Sequence, residues 1–538
     1  MSLERSASDA DRSPEADADV CVVGTGPAGA MLSHRLAKRG HDVVMLEAGK
    51  RFDFDSRKQR MKRGLRPEHG VRRVWDMGGE RDAYTSSGDI DYELNDHRVK
   101  GVGGSTLHWG GIVPRLHEKD FEMNSRYGLA SDWPIDYADL QPYYAEAERE
   151  MGVAGTDDNP FGPPRKEPYP MEGFERSYPD KILADACEEL DIQPHTLPSA
   201  RNSEPYDGRE VCEGWGTCIP VCPSGAKYDA SFTVRKAEDH GARVIDRATV
   251  TRLEHDDDGN RITAAVYETP DGTEYRQTAE QFVVAGGAIE TPRLLLLSAS
   301  EEYPDGLANT SGQVGRNLMD HISVLLYAEV EAETRQRYIG FNTTTSQQFY
   351  DHEEPLPGSF QIDFNNFGGP RPIRDALANG EWGDQLFEQV DDSYGNSLVM
   401  FSLVEQLPYE DNRVTLDHSK TDDHGNPVPE IDWEVKDHEI QTGDYAGNVM
   451  ADIVGELDPT FVYKSDPRQP FFPSHPAGTT RMGTDPEESV VNPQCRTHDL
   501  ENCYIASSSV FVTAGATNPT LTIGALALRT ADHIDERL

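Results

Sequence analysis

Cys212, Cys218 and Cys222 fall within eleven residues of "VCEGWGTCIPVCPSGAKYDA", in a chain of 538 residues that has only seven cysteines. Gly214, Gly216, Pro220 and Pro223 forbid a continuous helix there, so the thiols sit on a loop. A looped set of thiolates can wrap a metal centre. Four readings stay open on the spacing alone. Zinc wants four ligands in a closed tetrahedron, and no neighbouring His or Cys supplies the fourth. A disulfide leaves one thiol over. Three structural cysteines suit the packing habit of free Cys. A [3Fe–4S] centre needs three thiolates. Cys21, Cys187, Cys495 and Cys503 read as structural, and seven cysteines in so long a chain do not make a disulfide framework.

His475 in "SHPAGTTRMG" is the candidate acid–base group, because an imidazole titrates near neutrality and can take an alcohol proton. Asn518 precedes Pro519 and Thr520 in "ATNPTLTIGALALRTADHI", where Leu521, Ala525, Leu528 and Ala531 recur at helical spacing. Asn is a good N-cap and Pro suits the first helical position, so the spacing predicts a helix starting at Pro519 with Asn518 as its cap. Its free N–H groups would stabilise an anion, and a reduced flavin is one.

These groups need a scaffold, and "DADVCVVGTGPAGAMLSHRLAKRGHDVVMLEAGKRF" provides its beginning. An apolar run ends at Val23, Gly24, Gly26 and Gly29 form G-x-G-x-x-G, a helical pattern follows, and a second strand ends at Glu47. That order is the dinucleotide-binding fingerprint, with the acid placed for ribose hydroxyls. The pattern does not separate FAD from NAD; its place near the start of a long chain leans toward FAD.

The formal charge is −44, with acidic runs such as "EHDDDGN" and "LPYEDNR" scattered along the chain. Self-repulsion of that size strains a compact fold at ordinary salt and fades at molar salt, where the Debye length is about 3 Å. A hydrated, halophilic surface is the expectation, and nucleic acid is a poor partner for it. No run of eighteen apolar residues appears, and "MSLERSASDADRSPEADADV" lacks a signal-peptide h-region. By sequence the chain reads as cytoplasmic with no span of its own.

The chain resembles the glucose–methanol–choline (GMC) oxidoreductases through "DADVCVVGTGPAGAMLSHRLAKRG", "RVKGVGGSTLHWGG", "DWPIDYADLQPYYAEAE", "FVVAGGAIETPRLLLLS", "VGRNLMDH", "HPAGTTRMG" and "NPTLTIGALALR", in family order over nearly its whole length. The resemblance implies His475 as catalytic base and Asn518 as binder of the substrate oxygen. It implies that Gly103, Gly104 and Ser105 lie against a flavin ring, with His108 and Trp109 lining it or packing beside it, and that Val250 holds the adenine. With Gly24, Gly26, Gly29, Glu47, Asn518, Pro519 and Thr520 these make up the expected FAD site. Ser507 departs from the pattern, since many members carry an acid there. "CIPVCPSGAKYDA" resembles the subgroup of glucose, fructose and gluconate dehydrogenases, which implies a [3Fe–4S] centre on Cys212, Cys218 and Cys222.

The expected fold is α/β: a Rossmann-like FAD domain plus an α+β substrate domain on an antiparallel sheet. The Rossmann pieces predict a discontinuous FAD domain over 15–110, 205–325 and 465–538, a substrate domain over 111–204 and 326–464, and a disordered tail over 1–14. Strand-like runs "HISVLLYAEV", "GNSLVMFSLVEQ" and "NRVTLDH" suit the substrate sheet. The expected activity is FAD-dependent oxidation of a CH–OH group in a sugar, sugar acid or related alcohol, with electrons leaving through the cluster. The resemblance implies a small signal-bearing subunit and a cytochrome or quinone acceptor, which would allow export or membrane attachment. The rivals are a cluster-free oxidase making hydrogen peroxide and a flavin-holding electron-transfer subunit without alcohol chemistry.

Overall fold

The computed structural model describes residues 12–14, 17–64, 74–88, 90–336, 338, 340–351, 358–366, 376–377, 380–393, 395–470 and 474–538. Most of the expected tail lies outside them, but Arg12 is described: its Nε donates to the Asp246 carbonyl at 2.7 Å and its own carbonyl accepts from the Tyr267 hydroxyl at 2.6 Å.

Two sheets position the site. Their strands are β1 (Ala18–Val23), β2 (Val43–Glu47), β3 (His195–Thr196), β4 (Arg243–Asp246), β5 (Ala279–Val284), β6 (Ile322–Glu329), β7 (Thr344–Ser346), β8 (Phe360–Phe364), β9 (Ser397–Val404), β10 (Phe461–Lys464) and β11 (Cys503–Ile505). The helices that matter are α1 (Pro27–Lys38), α2 (Asp437–Gly455) and α3 (Thr520–Asp535).

The first sheet has the order β11-β5-β1-β2-β4 and is parallel throughout. Val20, Cys21, Val22, Val43, Val44, Met45 and Leu46 are fully buried, as the continuous apolar runs of a covered parallel sheet require. β1 and β2 flank α1, which carries the glycine fingerprint at its start. Gly29 has to be glycine: a Cβ there would sit 2.1 Å from the Gly24 carbonyl oxygen. α1 packs on α3, so the two ends of the chain share one core through Met31, Leu32, Leu36, Leu521 and Ala525.

The second sheet has the order β10-β6-β9-β8-β7-β3 and is antiparallel. Its two faces differ sharply. Val324, Leu326, Ile362, Phe364, Leu398 and Met400 face α2 and join Ala446, Met450, Ile453 and Val454 in one apolar cluster. Alternation with period two turns Ser323, Gln361, Asp363 and Phe401 the other way. "NRVTLDH" is a correction. Its strand, Arg413–Thr421, pairs with Pro427–Asp432 in a separate three-stranded sheet, because its register partners there bury Val414 and Ile431. Among the described residues no helix is long and apolar enough to cross a membrane.

Candidate active site

A cavity of about 850 Å³ lies between the two sheets. The fingerprint lines it from one end with Gly24, Thr25, Gly26 and Glu47. A Cβ on Gly26 would meet no protein atom within 4 Å. The backbone there is therefore open to the cavity, as close approach of a pyrophosphate needs. Glu47 is buried, and its carboxylate accepts from the Thr25 N–H at 3.1 Å, the Thr25 hydroxyl at 2.7 Å and the Gly49 N–H at 2.9 Å. It stiffens the glycine turn as well as facing the cavity.

Gly104, Ser105, Val250, Asn518, Pro519 and Thr520 also line the cavity. Gly103 and Gly29 do not. Gly103 is a packing residue, donating its N–H to the Thr25 hydroxyl at 3.3 Å and backing onto Ser231. His108 and Trp109 line the wall and are tied back to the protein, His108 Nε2 to the His97 carbonyl at 3.0 Å and Trp109 Nε1 to the Tyr228 carbonyl at 2.7 Å. Ser507 lines the wall too, but its hydroxyl caps the turn that follows by accepting from the Ser509 N–H at 3.2 Å.

His475 and Asn518 meet although they arrive from different segments: the Asn518 amide Nδ2 lies 3.2 Å from His475 Nε2. This corrects the capping expectation. α3 begins at Thr520 with Pro519 in the cap position and no side-chain cap bond, because the Asn518 carboxamide is turned into the cavity toward His475 instead. Asn518 Oδ1 is buried and has no partner among the described residues, so an acceptor is left for whatever enters.

Residues beyond those singled out in the sequence complete the arrangement. His321 Nδ1 lies 3.1 Å from His475 Nδ1, and His321 Nε2 lies 2.8 Å from the Gly515 carbonyl. A carbonyl only accepts, so His321 carries its proton on Nε2 and offers a lone pair at Nδ1. His475 must then carry its proton on Nδ1, which leaves the Nε2 lone pair facing Asn518. Both rings are neutral: burial holds His475 well below the usual imidazole range and takes His321 down to about 4.

Asp320 grips the backbone, its Oδ1 accepting from the His475 N–H at 2.8 Å and its Oδ2 from the Tyr92 hydroxyl at 2.6 Å. Burial pushes its carboxyl up to about 7. Ser474, just before His475, sits at φ +71° in the left-handed region, and its hydroxyl bonds His97. Strain of this kind persists only where neighbours enforce it. Asp320 and His321 end the motif "VGRNLMDH", the one signal in the sequence that could have flagged them.

The three cysteines do not line the cavity, but Gly216, Thr217, Ile219 and Pro220 of their loop do. All seven cysteines are free thiols, which removes the disulfide reading. Burial pushes the Cys218 thiol up to about 12; Arg201 and Lys227 pull the other way, and Cys222 and Cys212 add to the rise. The Lys227 N–H donates to Cys222 Sγ at 3.4 Å, and its buried ammonium donates to the Cys218 carbonyl at 3.1 Å. In donor type the loop suits a thiolate centre: three soft ligands with two buried cations beside them. Among the described residues no three His, Cys, Asp or Glu side chains converge as ligands of one metal ion.

Residues 17–64 match the FAD binding domain model, 96–323 the N-terminal GMC oxidoreductase model and 408–527 the C-terminal one. The chain is 33% identical to the fructose dehydrogenase large subunit of Gluconobacter japonicus, over 96% of this chain and 97% of that one. It is 31% identical to a 2-methyl-1,2-propanediol dehydrogenase of Mycolicibacterium austroafricanum, over 96% and 95%. A formate oxidase variant from Aspergillus oryzae RIB40 superposes with a TM-score of 0.70 at 16% identity, covering 98% of this chain and 99% of that one, which shows the shared fold. With the nucleotide fingerprint, the two-sheet architecture and full-length likeness in agreement, the chain belongs to the GMC oxidoreductase family and is an FAD-dependent enzyme.

Proposed function

We propose that the protein oxidises a CH–OH group of a sugar, sugar acid or other polyol, with His475 as the base and Asn518 as the holder of the alcohol oxygen. The observation that carries this reading is the Nε2 lone pair of His475, fixed by His321 and aimed at Asn518 inside the cavity. Bound FAD would supply the hydride acceptor. Gly26, Gly104, Ser105, Val250 and the start of α3 would hold it, since they line the cavity from both ends of the chain.

A substrate hydroxyl between the two side chains donates to His475 Nε2 and accepts from Asn518 Nδ2. As the hydroxyl proton passes to Nε2, the ring becomes cationic, and His321 Nδ1 keeps accepting from Nδ1–H. General-base help of this kind contributes about 10²–10⁴-fold. The relatives named for fructose and for a diol support a polyol substrate.

We infer that the cysteine loop holds an iron–sulfur centre with Cys212, Cys218 and Cys222 as ligands, supported by the donor set and by Lys227 and Arg201, whose charges would offset the thiolates. A [3Fe–4S] centre there would supply one-electron transfer toward an external cytochrome or quinone. The fructose dehydrogenase relative is itself named a large subunit, which supports an assembly with a smaller partner.

The test is anaerobic mixing of the FAD-loaded protein with D-fructose, D-gluconate, D-sorbitol and simple alcohols while the flavin absorbance is followed. Bleaching by a polyol is expected. Failure of every alcohol to bleach the flavin would defeat the reading and favour a non-catalytic electron-transfer subunit. Hydrogen peroxide release without iron would favour the oxidase.

A further inference from the structure

The wall of the cavity opposite the nucleotide fingerprint is the polar face of the antiparallel sheet. Ser323, Asp363, Asn365, Phe401 and Leu403 all line it. Register ties them together. Ser323 pairs with Leu403, and Leu325, Phe401 and Asp363 are directly opposite on successive strands, so their side chains share a face. His321 immediately precedes β6 and Ser323 lies two residues beyond it, so this wall begins beside the histidine pair. Asp363 lies two strands over, about 10 Å from β6 at the usual strand spacing.

Asp363 is 7% exposed and, among the described residues, pairs with no cation. Its carboxyl accepts from Gln361 Nε2 at 3.2 Å and 3.4 Å. Gln361 Oε1 accepts from Gln347 Nε2 at 3.0 Å, and Gln347 Oε1 accepts from Asn159 Nδ2 at 2.6 Å. The amides and the Thr345 hydroxyl on the neighbouring strand therefore hold Asp363, whose side chain lines the cavity without a counter-charge. Burial without a counter-charge pushes the carboxyl up to about 6. Holding Gln361 in place would need only an amide, since a carboxamide oxygen accepts equally well. A carboxyl desolvated in this position costs more, and the cost is offset when hydroxyl groups bind it.

We propose that Asp363, with Asn365 beside it on the same strand face, is a hydroxyl-binding subsite that selects polyhydroxylated substrates by engaging hydroxyls remote from the carbon being oxidised. This rests on the alcohol-oxidising reading above and names the residues that set its substrate class. Asp363 accepts from substrate O–H groups, and Asn365 can both donate and accept. A monohydric alcohol gives the Asp363 carboxylate no such donor, and a site built to hydrogen-bond a substrate hydroxyl discriminates strongly against the analogue without it.

The experiment measures anaerobic flavin reduction by D-sorbitol, D-fructose and cyclohexanol in the FAD-loaded wild type, Asp363→Ala and Asp363→Asn. The expected result is that Asp363→Ala lowers kcat/KM for the polyols at least ten times more than for cyclohexanol, chiefly through KM, with the flavin retained. Asp363→Asn, which keeps the shape and the Gln361 contact, should show a smaller shift of the same sign and serves if the alanine variant does not fold. An equal loss for polyol and cyclohexanol, or no loss for either, would overturn the subsite while leaving the alcohol chemistry standing. If the wild type is reduced by none of the three, the alcohol-oxidising reading falls and the subsite with it.

Discussion

His321 Nδ1 accepts a hydrogen bond from His475 Nδ1 across 3.1 Å, so one imidazole sets the tautomer of another 154 positions away in the chain. Because the Gly515 carbonyl fixes the proton of His321, the direction of the whole relay is determined by a backbone group that cannot titrate.

Removing the second ring should therefore matter without changing the first. His321→Phe deletes the acceptor and should lower kcat at least tenfold while FAD stays bound. His321→Asn, whose carboxamide can stand where Nδ1 stood, should recover part of the loss. Equal kcat in wild type and His321→Phe would show that the relay does not position the base.

Loss of the base itself should be more severe. His475→Ala should retain FAD, seen in its visible absorbance, and lose about 10²–10⁴-fold in the rate of flavin reduction. Near-normal reduction would remove His475 from the role.

The acid limb of activity follows from burial. A base works when neutral, and a depressed imidazole pKa moves its protonation to lower pH, so His475 should give no downturn in kcat/KM between pH 8 and 6.5. Asp320 is the nearby group that titrates close to pH 7. Its ionisation places a negative charge beside the His475 backbone and favours a cationic ring, so activity should rise as pH climbs through that region. Asp320→Asn should abolish this inflection; its persistence in the variant would assign it elsewhere.

How much of this was legible in the sequence differs from group to group. The glycine fingerprint was readable because its residues answer to backbone geometry within one turn, and the strand ending at Val23 and the helix from Pro27 lie where it places them. The residues around Asn518 spell a cap, and only the family resemblance gave it a place at the substrate oxygen; its carboxamide makes a contact 43 positions away. His321 sat at the end of the quoted motif "VGRNLMDH", but nothing in that stretch says that its ring meets a histidine 154 positions on. The alternation in "FQIDFN" announces two faces on β8, but only the packing of α2 decides that Ile362 and Phe364 go to the core and Asp363 to the cavity.

The cysteine loop gives a metal-dependent prediction. Cys218→Ser should lose iron and acid-labile sulfide, and slow transfer to an external one-electron acceptor, while substrate still bleaches the flavin. Purified wild type without iron or sulfide would dispose of the assignment.

The acidic surface gives another. From the charge of −44 we infer adaptation to high salt, so the melting temperature should climb as KCl rises from 0.1 M to about 2 M, where screening shortens the reach of like charges to a few ångströms. A flat or falling melting curve would count against it.

The antiparallel sheet divides its labour: Val324, Ile362, Phe364 and Met400 belong to the helix behind it, while Ser323, Asp363 and Phe401 look into the cavity. Exchanges at the cavity-facing positions can alter which donors are accepted without loosening the grip on the helix, so chemistry and architecture are free to drift separately. One inherited frame can in this way serve a lineage of enzymes that differ mainly in what they admit.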